Sequence, residues 1–214
     1  MTVQQGILYR PVGLYEAKLI VEGDCHSFPP RLPEQPFFYP VLNDAYAIQI
    51  ARDWNANDLQ SGYAGFVTRF AVEAEYLSRF AERVVGAEAV HRELWIPAEE
   101  LESFNHHIIG SIRLIHAYYG EPYRGLPTTP TIFRDKSAWE QMVVLDALKT
   151  DGNMMDFGME LLANKIAVQL NYAYWAQQSF ATVGISEAEK TEILAIIRSL
   201  FHHYDIPMPL ADFD

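Results

Sequence analysis

The sequence predicts an α+β fold in two parts: a mixed region over residues 1–120 and a helical region over residues 131–214. Three observations predict it. In 65–72, GFVTRFAV, the residues Phe66, Thr68, Phe70 and Val72 alternate with their neighbours, the period of a strand with one buried face. In 120–130, GEPYRGLPTTP, three prolines and two glycines interrupt any regular structure. Beyond that break the strand signals stop, and Ser137 with Glu140 and Ser186 with Glu189 have the spacing of capping boxes.

The elements follow in order. Residues 7–12, ILYRPV, read as a short strand ended by Pro11. Residues 13–22 place Leu14, Tyr15, Leu19 and Ile20 at helical spacing. The stretch 23–40 holds prolines at 29, 30, 33, 36 and 40, yet Phe28, Leu32, Phe37, Phe38 and Tyr39 make it too apolar for a solvated tether. It reads as an ordered irregular segment. Asn43 or Asp44 can cap a helix over 45–54, and 55–64 reads as a loop. After the strand at 65–72 come a short acidic turn or helix at 73–80, a strand at 82–85, a turn at Gly86 and a strand at 89–96. Pro97 suits the first position of a helix over 98–106, and 108–118 reads as a closing strand. Three helices follow, at 137–149, 156–178 and 186–204. The middle one is apolar on nearly every face, from Phe157, Leu161 and Leu162 to Val168, Tyr172 and Trp175, which predicts burial between the others.

Composition narrows the function. Half of the 214 residues are hydrophobic, enough for a sizeable core. The formal net charge is −12, so nucleic acid is an unfavourable partner, because affinity for it comes from lysine and arginine neutralising phosphates. A basic protein partner is electrostatically favoured. Cys25 is the one cysteine, which excludes an internal disulfide and a cysteine-held metal. No apolar run approaches the ~20 residues of a membrane span, and the first residues lack the pattern of a secretion signal. The expectation is a cytoplasmic protein of bacterial type, without membrane contact.

Several residues could carry chemistry. On a strand over 89–96, His91, Glu93 and Trp95 share a face, which puts a carboxylate beside an imidazole and an indole. Such a carboxylate can accept a hydrogen bond from a sugar hydroxyl. It can equally pair with Arg92, Arg69 or Arg113. Arg10, on the first strand, could hold a phosphate or a ribose, or pair with a carboxylate such as Glu93. Tyr39 and Tyr46, in FFYPVLNDAY, could sandwich a flat heterocycle or simply pack in the core. The doublets His106–His107 and His202–His203 lack metal-ligand spacing, so no metal is expected. A metal-dependent hydrolase is correspondingly disfavoured.

In their order, these pieces resemble the ADP-ribosyltransferase superfamily over residues 7–118. LYRPV looks like that fold's first strand, with Arg10 in the Arg/His position. FFYPVLNDAYAIQIA looks like the segment whose tyrosines stack on nicotinamide. HRELWIPAEELESFNHHIIGSIRLI looks like its late strand, turn and closing strand, with Glu93 in the glutamate position. The resemblance implies an ADP-ribosyltransferase-like mixed sheet domain that takes NAD as substrate. Arg10 would hold the ribose or phosphate side, while Tyr39 and Tyr46 would pack on nicotinamide, with His91 beside them. Glu93 would bond a ribose hydroxyl as nicotinamide leaves. Val67-Thr68-Arg69 stands where the arginine-directed branch has Ser-Thr-Ser, and His91 stands where that branch has Glu or Gln. The acceptor is therefore unspecified. The helical region has no such counterpart. The rival expectation is non-catalytic: an acidic, immunity- or antitoxin-like protein that binds a basic partner.

Overall fold

The computed structural model describes residues 4–86 and 91–210. It is mixed α+β with small open sheets, and divides into two compact units, Met1–Tyr118 and Tyr119–Asp214. Among the described residues, no helix is long and apolar enough to cross a membrane.

The first unit is built on β1 (Gln5–Gly13), β3 (Ala64–Glu73) and β7 (Ile108–Tyr119), which form a three-stranded sheet in the order β1-β3-β7. β1 and β3 run antiparallel, with Leu8 opposite Phe70, Arg10 opposite Thr68 and Val12 opposite Phe66. Pro11 does not end the strand as expected. Tyr9 turns its N–H and carbonyl to Val41, away from β3. Pro11, two residues on, therefore directs its missing donor to that same side, and the pairing with β3 loses nothing.

One face of β1 carries Leu8, Arg10 and Val12. It meets an aromatic core in which Phe28 packs on Phe38 and Phe70 with ring centroids 4.8 Å apart in each case. Phe104, from α4 (Leu101–His106), closes on Phe38 at 5.3 Å. Helix α1 (Leu14–Glu22) buries Leu14, Ala17, Ile20 and Val21. On the other face, Val41, Tyr46, Ala47, Ala51 and Val67 form a second cluster, with Tyr9 and Tyr118 packed against it.

The helix expected over 45–54 changes character midway. α2 (Asp44–Gln49), capped by the Asn43 side chain on the Tyr46 N–H, runs into a π turn at Ile50–Trp54 and a 3-10 turn at Asn55–Asn57. A β-carbon on Gly65 would lie 1.9 Å from the Ala51 carbonyl oxygen. Backbone thus packs directly on backbone there, an approach that only glycine permits.

The strand expected over 89–96 is shorter, and its residues 89–90 lie outside the described residues. β4 (Glu82–Val84) pairs antiparallel with β5 (Arg92–Leu94). Pairing then switches partner: β6 (Ile96–Pro97) joins β2 (Phe37–Phe38). The helix expected over 98–106 starts as a 3-10 turn at Ala98–Glu100.

The second unit is helical: α5 (Ala138–Thr150), α6 (Met154–Ala163), α7 (Lys165–Gln177) and α8 (Glu187–His203). Both capping boxes form as their spacing predicts. The single helix expected over 156–178 is two, parted at Asn164. Its buried side chain accepts from the Thr129 N–H and hydroxyl and donates to the Glu160 carbonyl, so it competes with the helical ladder. α7 is buried as expected, whereas Met159 of α6 is 56 % exposed. Phe133, Leu145, Phe157, Leu161, Trp175, Ile197 and Phe201 are among the core residues. The proline-rich stretch after Tyr119 contributes to this unit: the buried Tyr123 donates to Asn171.

Candidate functional site

Glu93 stands in the middle of β5, opposite Arg83 on β4 and, through an isolated bridge, opposite Val41. Backbone bonds bracket it on both sides, from Leu42 N–H to the Arg92 carbonyl at 3.0 Å and from Leu94 N–H to the Pro40 carbonyl at 2.9 Å. The residue is 9 % exposed, and its carboxylate pairs with none of Arg10, Arg69, Arg92 or Arg113. It accepts instead from the Trp95 indole N–H at 2.6 Å. Arg92 turns the other way, to Glu82.

Rings pack around the indole that holds this carboxylate. Trp95 meets Tyr39 edge-on at 5.6 Å and Phe37 at 5.4 Å, and the Arg83 guanidinium sits 4.2 Å above the indole. Tyr46 and His91 pack with centroids 4.6 Å apart, and His91 Nε2 lies 3.1 Å from Gln49 Oε1. Gly86 is pressed against that imidazole, since a β-carbon there would come within 2.1 Å of Nδ1. The Tyr46 hydroxyl is pushed above its ordinary range, first by burial and then by the nearby Glu93 charge. Glu93, Tyr46 and His91 therefore form one cluster, with Trp95 as the group that orients the carboxylate.

Arg10 is not part of that cluster. Side chains alternate along β1, so Tyr9 shares a face with Val41 and Glu93, and Arg10 leaves from the opposite one. There its Nε and Nη2 donate to the two carboxylate oxygens of Glu16 at 2.8 and 3.1 Å. Its Nη1 donates to the Tyr39 carbonyl at 3.2 Å, and the guanidinium lies 4.6 Å above the Phe38 ring. A second arginine, Arg31, brings Nη1 to 3.7 Å from Glu16. Tyr39 thus bridges the two faces, with its carbonyl on Arg10 and its ring on Trp95.

Sequence reasoning missed two of these residues, Glu16 and Arg31. It places Trp95 on the face of Glu93, and the structure adds the hydrogen bond between them. The available signals were a carboxylate in the first turn after an arginine-bearing strand, and a lone arginine in the otherwise apolar run FPPRLP.

His107 stacks on Tyr76 at 3.8 Å, and among the described residues no group of three or more His, Cys, Asp or Glu side chains could hold a metal ion. No family model, curated protein or solved structure matches the chain.

Proposed function

We propose that the first unit is an ADP-ribosyltransferase-like domain that binds NAD and transfers ADP-ribose to an acceptor. What carries the proposal is the Glu93 carboxylate, held by the Trp95 indole beside Tyr46 and His91. A fixed carboxylate next to developing positive charge stabilises a transition state more than a ground state. In this role Glu93 accepts from a ribose hydroxyl and faces the oxocarbenium-like carbon as nicotinamide departs. The rings of Tyr39 and Tyr46 pack on the nicotinamide. Arg10 takes the phosphate side only by exchanging Glu16 for the ligand.

Nicotinamide release from NAD tests this directly. Release by the wild-type protein, reduced about a hundredfold or more in Glu93→Gln, supports it, that loss being the usual size for a group that stabilises transition-state charge. Absence of release, with no rise in Tm on adding NAD, sinks it.

One observation favours the non-catalytic alternative, an acidic protein that binds a basic partner. Arg10 is bidentate to Glu16 on the far face from Glu93, so its charge is already engaged. Under that alternative NAD leaves Tm unchanged. A stoichiometric basic protein then binds with an affinity that falls steeply with salt.

A further inference from the structure

The Arg10–Glu16–Arg31 group carries an inference that does not rest on NAD chemistry. Two guanidinium groups face one carboxylate. Arg10 is satisfied by it, and Arg31 is not. The Arg31 side chain is only 9 % exposed, its approach to Glu16 is 3.7 Å, and its buried Nε–H has no hydrogen-bond partner. A buried guanidinium left in that state is costly and is rare in folded proteins. Burial, then the neighbouring Arg10, lowers the affinity of Arg31 for its own proton, with Glu16 offsetting this only in part. The group is therefore one negative charge short.

Arg31 and Glu16 line a cavity of about 400 Å³, within the usual size of small-molecule sites. Its apolar wall is Tyr15, Leu19 and Leu32, which are 52 %, 49 % and 55 % exposed although each is large and hydrophobic. Asp58 stands at its margin, exposed, with Oδ2 taken by the Ser61 N–H and hydroxyl.

We propose that this cavity binds a small monocarboxylate with an apolar or aromatic body. The ligand's carboxylate supplies the second negative charge that Arg10 and Arg31 together lack, and its body covers Tyr15, Leu19 and Leu32. A planar guanidinium matches a carboxylate bidentately. The deficit of one charge, and the acidic margin at Asp58, select a monoanion over a phosphate dianion.

The test uses the whole chain with benzoate, octanoate and inorganic phosphate as probes. Benzoate or octanoate should raise Tm and shift the amide resonances of Tyr15 and Leu32, while phosphate does neither. Arg31→Gln should weaken benzoate binding about tenfold or more, the scale of one charge-assisted contact. The resonance shifts are read in the wild-type protein, so they decide the matter even if Arg31→Gln fails to fold. Three results each overturn the proposal: neither carboxylate moves those resonances, phosphate binds as well as benzoate, or a folded Arg31→Gln binds benzoate like wild type.

Discussion

The indole N–H of Trp95 fixes where the Glu93 carboxylate points. Trp95→Phe keeps a ring between Tyr39 and the Arg83 guanidinium but removes the donor. A hydrogen bond to a charged group contributes about 1.5–3 kcal/mol, so the variant should lose stability on that scale in a denaturant titration. If Glu93 also acts on NAD, nicotinamide release should fall in the same variant, because an unanchored carboxylate is no longer preorganised. Stability equal to wild type would mean that water replaces the indole at no cost. The site was partly legible at this scale. Alternation alone put His91, Glu93 and Trp95 on one face, because the strand period is fixed by backbone geometry. The partner of Arg10 was not legible. Which carboxylate reaches a strand arginine depends on how the following helix turns back, and that is decided by packing of Leu14, Ala17 and Ile20 rather than by spacing.

Elements were readable where the signal is local and lost where backbone meets backbone. Ser137 accepts from the Glu140 N–H at 3.3 Å, while the Glu140 carboxylate accepts from the Ser137 N–H at 2.7 Å. Both halves of that box lie within four residues, so spacing was enough to find it. Ser137→Ala should lower stability by about 1 kcal/mol. The π turn at Ile50–Trp54 has no such local cause. It is shaped against Gly65, fourteen residues beyond Ala51 in the chain. Gly65→Ala puts a methyl group where the Ala51 carbonyl stands, and should cost about 3 kcal/mol, at the upper end for overpacking. Thermal unfolding of this variant against Gly152→Ala separates the two reasons for a glycine. Gly152 has φ +70° with nothing within 4 Å of its added β-carbon, so only backbone strain acts there. An equal loss at both positions would show that the close approach to Ala51 is relieved elsewhere. The division at Asn164 and the switch of pairing after Leu94 were hidden for the same reason, since each depends on a segment remote in sequence.

At the scale of the whole chain, acid should act through exposed carboxylates that the fold holds in their charged form. Glu140 and Glu189 lie below their ordinary value of 4.5, in each case first because the serine side chain of the capping box bonds the carboxylate. Asp53 and Asp58 lie below 3.8, through bonds to the Arg52 and Ser61 side chains respectively. A group whose folded pKa is depressed stabilises above its unfolded pKa, and that contribution disappears as pH falls through the folded value. Stability should therefore decline below about pH 4.5 and continue to decline beneath about pH 3.8. Asp146 opposes the trend, because burial, and then Glu189, raises it and its protonation favours the fold. The four depressed groups are solvent-exposed, so each contributes little and salt weakens it. The double variant Ser137→Ala/Ser186→Ala returns two of the four towards ordinary values. Its Tm should start lower than wild type near neutral pH and the gap should narrow as pH falls from about 5 to about 3. A gap that stays constant over that range would mean that the serine hydroxyls act on the backbone alone and that the glutamates carry no pH-dependent stability. The net charge of −12 sets a second expectation on the same titration. The chain passes its isoelectric point near 4.9, so self-repulsion is at its weakest just above the window in which the carboxylate bonds begin to fail. Tm should consequently stay level or rise slightly from pH 7 to about 5 before it drops, and high salt should flatten the rise as well as the fall.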